Sequence, residues 1–313
     1  MTLIILLIVL VTERVALQGA NWRVERYLSW YVEHGSKSLL KRAEDNLALF
    51  IFMAVPALSF GIVLMLLDSD FVDFLVSILV LAVCVGNSNV RTFYRQYLNA
   101  QNRNDEEAQE ILQAKLLVAD GIKLDLFQAQ EPESEKAESE EPEQEGTENP
   151  ASVNDKAAEQ LNIGEILIWN NFKYYAAPIF YFVLFGVPGV IFYATLLYLV
   201  ESQLLHRKFE NLVYLKQAKS TLSTWLEWGY WLPARLVAIG YMFVGHFSNG
   251  LEAWLKNAAD LKISSQSMIC KVATAAEAGN PGGGAKQMVR LAKRNMVFFL
   301  VIVALLTLYG QII

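Results

Sequence analysis

Long runs without a charged residue constrain this chain more than any other feature of its sequence. Residues 47–67 form 21 consecutive uncharged positions, residues 175–200 form 26, and residues 296–313 form 18. A helix that crosses the hydrocarbon core of a bilayer needs about 20 apolar residues. Residues 71–86 come close to this requirement, with Asp73 near the start of the run. The pattern predicts an all-α polytopic membrane protein with four to six membrane helices.

One segment accounts for the acidity of the chain. The net charge is −6, but residues 131–150 alone carry nine Glu and one Lys, a charge of −8, which leaves +2 elsewhere. A segment this polar cannot bury enough apolar surface to fold, so residues 129–155 are predicted to be a disordered acidic linker. The alternative is an acidic segment that binds a partner. The linker would separate an N-terminal three-span part with a cytoplasmic helix (1–128) from a C-terminal membrane part (156–313).

The distribution of basic residues predicts how the chain is oriented. No charge precedes the first apolar run, whereas basic residues follow it, so we predict a retained first span at about 2–20 with its N-terminus outside. Two later segments, 201–228 and 251–295, are also basic. If both are cytoplasmic, the chain has four spans, which we favour. If both middle apolar segments, 175–200 and 230–247, cross the membrane, the chain has six spans.

The sequence GVPG (186–189) interrupts the longest apolar run. Pro removes a helix hydrogen bond and Gly weakens a helix, so the run is either one kinked span or a re-entrant pair of half-helices. Because broken backbone at membrane depth is tolerated only where it is buried in protein or lines a wet cavity, GVPG points to a site. Residues 91–128 and 157–175 are expected to be amphipathic helices, with Asn104 and Glu107 as a capping pair.

A few ionisable residues lie within or beside the apolar stretches. Such groups are costly in a membrane and usually face the protein interior and pair, although an arginine near a helix end can also extend to the interface. Glu13 and Arg14 are adjacent, so on a helix they cannot face each other. We therefore expect Glu13 to pair with Arg235 beside the GVPG break, with His246 on the far side of the pocket.

These considerations define two sets of candidate residues. The predicted buried polar or ligand pocket comprises Glu13, Arg14, Arg235, His246, Trp169, Asn171, Gly186 and Pro188. A predicted cytoplasmic motif comprises Arg103, Asn104 and Asp105. No catalytic residue, metal site or cofactor is predicted, because the two Cys and three His lack ligand spacing and GNPGGGAK departs from a phosphate-binding loop. The aromatic rows Tyr174–Tyr198 and Trp225–Trp231 are interpreted as interfacial anchors.

Several stretches resemble the AmpE family: LVTERVALQGANW, FYRQYLNAQNRND, ILIWNNFKYYAAPIFY, LPARLVAIGYMFVGH and VRLAKRNMVFFLVIVALLTLYG. The resemblance implies an inner-membrane regulatory protein of bacterial β-lactamase induction, associated with AmpD, a cytoplasmic amidase that trims recycled anhydro-muropeptides. A more distant similarity links PIFYFVLFGVPGVIFYATLLYL and LPARL to the CobD/CbiB family of cobalamin biosynthesis, whose membrane enzymes form an amide bond. At the positions where that family has polar stretches, this sequence has ERVALQGANWRVE and ATLLYL instead.

Three functions follow from these observations. The favoured one is a non-enzymatic inner-membrane sensor or modulator linked to peptidoglycan recycling, which binds a cell-wall metabolite or a partner such as an AmpD-type amidase. The alternatives are a membrane enzyme of CobD/CbiB-like amide chemistry and a muropeptide transporter. The lipid bilayer is an expected partner in each case, and nucleic acid is not.

Overall fold

Helices make up the architecture of this protein in a computed structural model that describes residues 2–15, 22–34, 46–119, 162–204, 218–260, 263–277 and 284–310. No strand occurs in these ranges, which confirms the predicted all-α class. The predicted acidic linker, 129–155, lies outside the described residues. In chain order the helices are α1 (Thr2–Val15), α2 (Val24–His34), α3 (Asn46–Leu67), α4 (Asp70–Cys84), α5 (Ser88–Asn102), α6 (Glu106–Ala119), α7 (Ile163–Asn171), a π-helical segment (Phe172–Ala176), α8 (Ala177–Leu204), α9 (Lys219–Val244), α10 (Phe247–Ala258), α11 (Ser265–Ala276) and α12 (Ala285–Leu308).

Three helical stretches within the described ranges are long and apolar enough to cross a membrane, namely Asn46–Leu67, Ile163–Ser202 and Ala285–Leu308. A fourth candidate arises if α4 and α5, which are bent by 46° relative to each other, count as one span. The described part of the first apolar run, Thr2–Glu13, is shorter than a span. The count of three or four candidate spans agrees more closely with the four-span interpretation than with the six-span alternative. However, the set differs, because the GVPG run belongs to a candidate span.

The longest candidate span is a continuous stretch of 40 residues built from α7, the π-helical segment and α8. Its start is a capping box, in which the side chain of Asn162 accepts a hydrogen bond from the Gly164 backbone and Glu165 accepts one from the Asn162 backbone. The sequence predicts an amphipathic helix here, but seven of the nine residues of α7 are buried. This prediction is wrong because α11 and α12 both pack against α7.

The GVPG break is a kink inside α8. Gly186 adopts φ 64° and ψ −151°, a conformation that side chains other than hydrogen rarely allow, and Pro188 follows two residues later. Helix α3 packs against α8, where a Cβ added to Gly61 would lie 3.2 Å from Cγ of Pro188. Of the two predicted alternatives, the structure therefore has the kinked helix.

Helix α8 lies at the centre of the packing and contacts α3, α4 and α9. Helix α9 also contacts α10, α11 and α12, so the C-terminal helices form a second layer against the long span. The basic segment 251–295, treated as a loop in the sequence, contains the packed helix α11. In that helix Met268, Ile269 and Cys270 are buried.

Candidate functional site

The break between α4 and α5 forms one wall of a charged cleft. Val85 and Asn87 are extended, and Gly86 between them has φ 92°. The Gly86 N–H donates a hydrogen bond of 2.8 Å to the Tyr174 carbonyl. A Cβ at Gly86 would collide with Oε1 of Glu13, so both the conformation and the close approach require glycine.

Glu13, near the end of α1, reaches this break and is only 5% exposed. Its Oε1 forms a 2.7 Å ion pair with Nη2 of Arg91, and Nη1 of the same arginine donates to the Glu13 carbonyl at 3.3 Å. The Tyr175 hydroxyl donates to Oε1 at 2.9 Å. Two separate parts of the chain, α5 and the π-helical segment, therefore hold this carboxylate.

The π-helical segment supplies a second ion pair. Lys173 and Tyr174 of this segment contact Glu201, whereas the next residue, Tyr175, contacts Glu13. Such π turns occur often at functional sites. Lys173, which is 4% exposed, pairs with Oε1 of Glu201 at 2.8 Å, and the Tyr174 hydroxyl donates to the same oxygen at 2.7 Å. The Tyr193 hydroxyl donates to the Lys173 carbonyl at 2.8 Å, so a side chain helps to satisfy the backbone of the widened turn.

Glu13, Arg91 and Glu201, the partner of Lys173, line one opening, here called the charged cleft. It encloses about 50 Å³ of space that the centre of a water molecule can occupy. That volume holds a few waters or a small polar group. The charged and tyrosine side chains that line it are Glu13, Arg23, Glu25, Arg91, Tyr174, Tyr193, Tyr198 and Glu201. A buried ion pair adds little net stability because desolvation offsets the attraction, whereas loss of one partner costs about 3–5 kcal/mol.

The predicted pairing of Glu13 with Arg235 is wrong. Arg235 donates from Nε to the Ala258 carbonyl at 3.0 Å, from Nη2 to the Asp260 carbonyl at 3.2 Å, and from Nη1 to the Trp231 carbonyl at 3.1 Å. The guanidinium also lies 4.3 Å above the Trp231 ring. Burial lowers the pKa of Arg235, and the Asp260 charge offsets part of this effect. The carbonyls at the end of α10 therefore replace the expected carboxylate, because a helix C-terminus presents unsatisfied acceptors.

The remaining predicted pocket residues whose side chains the structure describes lie outside the lining of the charged cleft. Gly186 and Pro188 form the kink of α8, and His246 begins α10 with its N–H donating to the Ala276 carbonyl at 2.7 Å. Asn171 ends α7, one residue before the π-helical segment. The side chain of Arg14 lies outside the described residues. Whether this set binds a ligand stays a prediction.

Trp169 belongs to an aromatic cluster behind the cleft. Its ring stacks on Phe172 at 5.2 Å and meets Tyr230 edge-on at 5.2 Å, and Tyr230 in turn contacts Tyr193. Tyr174, Tyr193 and Tyr198 are all buried inside the protein. The interpretation as interfacial anchors is therefore wrong for these three tyrosines, because neighbouring helices cover them, whereas Phe185 of the same row is 62% exposed and stays a candidate anchor.

The predicted cytoplasmic motif joins α5 to α6. Arg103 is the C-cap of α5, and Asn104 has φ 53°, a left-handed conformation that Asn tolerates well. The side chain of Asp105 accepts from the Ala108 N–H at 3.0 Å. The cap of α6 is thus Asp105, and the predicted cap at Asn104 is wrong by one residue because Asn104 makes the turn that precedes the helix.

Sequence reasoning missed Lys173, Glu201 and Arg91 as site residues. A signal for the first two was available. Lys173 stands between two apolar stretches in ILIWNNFKYYAAPIF, and Glu201 is the first charge after the 26-residue run. By the argument applied to Glu13, both were candidates for a buried pair.

Fold and site together define a class: an α-helical, multi-pass membrane protein with two ion pairs, each with one buried partner, beside or near a break between helices. Among the described residues, no group of three or more His, Cys, Asp or Glu side chains is placed to hold a metal ion.

The chain belongs to the AmpE family, described as "Regulatory signalling modulator protein AmpE", whose family model matches residues 1–139 and 146–313. Protein AmpE of Shigella flexneri is 24% identical over 324 aligned positions, which cover 100% of both chains. No solved structure matches this chain. The family and the apolar helices indicate a multi-pass inner-membrane protein. The comparisons support the AmpE resemblance, and the distant similarity to CobD/CbiB stays a prediction.

Proposed function

We propose that this protein is an inner-membrane sensor and modulator that couples anhydro-muropeptide recycling to β-lactamase induction, and that the charged cleft is the part that responds. Membership of a family of regulatory signalling modulators supports the general role. The observation that carries the proposal is that the Glu13–Arg91 pair and Glu201, the partner of Lys173, line one cleft at the break between α4 and α5.

The arrangement is suited to a switch because hydrogen bonds connect the residues that hold Glu13 to the break between α4 and α5. The Gly86 N–H ties the α4–α5 break to the Tyr174 carbonyl, and the adjacent Tyr175 hydroxyl binds Glu13. A polar ligand or a protein partner that competes for either carboxylate would exchange ion pairs and alter the 46° bend between α4 and α5. The input is a cell-wall metabolite or contact with an AmpD-type amidase.

Complementation tests this role directly. In a host with an inducible chromosomal β-lactamase, a strain lacking the gene receives the wild-type protein, Glu13→Gln or Arg235→Gln, and β-lactamase activity is measured with and without inducer. Glu13→Gln is expected to abolish the effect of the protein on induction, because it removes the carboxylate of the cleft. Arg235→Gln, which lies outside the cleft, is the control and retains that effect.

Membrane abundance of each variant, measured by immunoblot, separates loss of signalling from loss of protein. The proposal is wrong if deletion leaves induction unchanged, or if Glu13→Gln at normal abundance behaves as wild type. Turnover of an amide substrate or uptake of muropeptide into vesicles would instead favour the alternative functions.

We further propose that the N-terminus lies outside and that both basic segments, 201–228 and 251–295, are cytoplasmic, which requires that the kinked stretch Ile163–Ser202 does not cross the membrane fully. Single Ser220→Cys and Lys286→Cys variants report on this orientation, since both positions are exposed and the native Cys84 and Cys270 are buried. An impermeant maleimide is expected to label neither variant in intact spheroplasts and both after permeabilisation. Labelling of residue 220 from outside would reverse the assignment of the first of these segments.

A further inference from the structure

A second cavity beside the charged cleft has a markedly different charge. It is lined by Arg23, Ser88, Arg91, Thr92 and Arg95 and is here called the arginine cavity. It encloses about 90 Å³ that the centre of a water molecule can occupy. The four α5 residues follow at intervals of three, one and three, so they share one face of that helix. Arg23, just before α2, completes the cavity.

The arginine cavity has more positive charge than its neighbours neutralise. Three guanidinium groups line it, and no carboxylate is among the lining residues that the structure describes. Arg91 pairs with Glu13, but Arg23 and Arg95 form no ion pair with the described part of the chain. An excess of this kind is what a bound anion would compensate.

Two buried polar atoms at the cavity also lack partners. Nε of Arg23 and Oγ of Ser88 are closed off from solvent and have no hydrogen-bond partner among the described residues. The Thr92 hydroxyl, by contrast, donates to the Ser88 carbonyl at 2.9 Å. Buried polar atoms in folded proteins are nearly always hydrogen-bonded, so these two indicate a missing acceptor.

The missing acceptor fits an oxyanion. Arginine presents a planar fork of donors that matches phosphate oxygens in pairs, and the start of α5 adds the positive end of a helix dipole. Asn87 already caps the Asn89 and Val90 N–H groups, so the arginine side chains would provide the main contacts.

The neighbourhood of the cavity suits the headgroup level of a membrane. Helix α2 and the residues before it expose aromatic rings, with Trp22 42%, Tyr27 55% and Trp30 63% accessible. Amphipathic aromatic rings favour the region where headgroup phosphates lie. The same cavity could also be reached by a soluble phosphate-bearing molecule from the aqueous side.

We infer that the arginine cavity is a binding site for a phosphate-type oxyanion, supplied either by a phospholipid headgroup or by a free phosphate group. This inference goes beyond the proposed function, because it concerns a neighbouring cavity, which shares Arg23, Ser88 and Arg91 with the charged cleft, and it holds whether or not the protein modulates induction. It assigns to Arg23 and Arg95 a role as direct ligands of the anion.

Binding measurements on the full-length protein in detergent test this inference. Native mass spectrometry counts bound phosphatidylglycerol, with diacylglycerol as the phosphate-free probe. Thermal unfolding with inorganic phosphate, against chloride at equal ionic strength, tests the free anion. In the double variant Arg23→Gln/Arg95→Gln, binding of at least one phosphate probe is expected to weaken by about tenfold or more. Diacylglycerol binding should not change.

The matched control is Arg294→Gln, which removes an exposed arginine of α12 that does not line the cavity. A selective loss of phosphatidylglycerol supports the headgroup source, and a selective loss of the phosphate-induced thermal shift supports the free anion. If the double variant does not fold, Arg95→Gln alone, on the exposed side of α5, provides the same comparison. Equal binding of both phosphate probes by wild type and variant overturns the inference.

Discussion

Glu13 and Arg235 are both buried charges, but the protein stabilises them with different kinds of partner groups. Each is a charge set within an apolar helix, and each is buried, at 5% and 7% exposure. Glu13 meets an opposite charge and a tyrosine hydroxyl. Arg235 meets three backbone carbonyls and an aromatic ring. A buried charge is stabilised by whichever complementary groups its neighbours present, and its sequence context does not identify them.

The two sites also differ in how far their contacts can rearrange. Arg235 binds carbonyls whose positions are fixed by α9 and by the end of α10. Three carboxylates (Glu13, Glu25 and Glu201) and two arginines (Arg23 and Arg91) line the charged cleft, so a change of pairing there does not require a helix to unfold. This is why the proposed signalling role is assigned to the cleft.

The strongest test of this comparison removes one member of the most buried pair. Lys173→Met is expected to destabilise the protein by about 3 kcal/mol, because Glu201 stays in a largely enclosed place without its cation. The double variant Lys173→Met/Glu201→Gln should recover most of this loss, since the amide still accepts from Tyr174. Unfolding in detergent, followed by circular dichroism, measures both. A single variant as stable as wild type would show that water already solvates this pair.

The next test concerns the approach of the helix break to Glu13. Gly86→Ala combines a positive φ with a collision against the Glu13 carboxylate, and we expect a loss of about 2–3 kcal/mol. Gly310→Ala is the matched control, because its φ is 67° but no atom lies within 4 Å of the added Cβ. The control should lose no more than about 1 kcal/mol in the same assay. Equal effects would mean that contact with Glu13 is unimportant.

For the carbonyl-bound charge, the geometry of the donor matters more than its charge. Arg235→Lys keeps the charge but cannot donate to three carbonyls in one plane, so we expect a loss of about 1–2 kcal/mol, similar to Arg235→Gln. Chemical denaturation compares the two variants. Full stability of the lysine variant would show that charge alone is sufficient. The swap Glu13→Arg/Arg235→Glu should not restore either single loss, because the two sites have different partners.

The smallest effect is expected for an exposed pair with the same separation as Glu13–Arg91. Lys256 and Glu252 are also 2.7 Å apart, but their side chains are 71% and 70% exposed. The hydrogen bond from Lys256, followed by its charge, lowers the pKa of Glu252. Any stabilisation is therefore present at neutral pH and is lost as the pH falls through that lowered pKa. Lys256→Gln should leave the unfolding midpoint unchanged, since solvent screens the pair. A measurable shift would contradict the view that burial decides the effect.

Local features of the sequence predicted most of the helices and several of their boundaries. The uncharged runs identified Asn46–Leu67 and much of Ala285–Leu308, and GVPG identified the kink. The cap of α6 was displaced by one residue because Asn and Asp both suit that position, and only the backbone conformation distinguishes them. Local rules succeed here because a helix satisfies its own backbone hydrogen bonds within a few residues.

The partners of the buried charges could not be predicted in this way. Arg91 lies 78 residues from Glu13 along the chain, and Tyr175 lies 162 residues away. The sequence by itself determined that this chain is helical, that it enters a membrane, and that charges such as Glu13 need a partner. Only the tertiary structure decided that Arg91 and Tyr175 provide it and that Arg235 uses carbonyls instead. The reason is that electrostatic stabilisation acts through space over a few ångströms, and only packing determines which distant residues come that close.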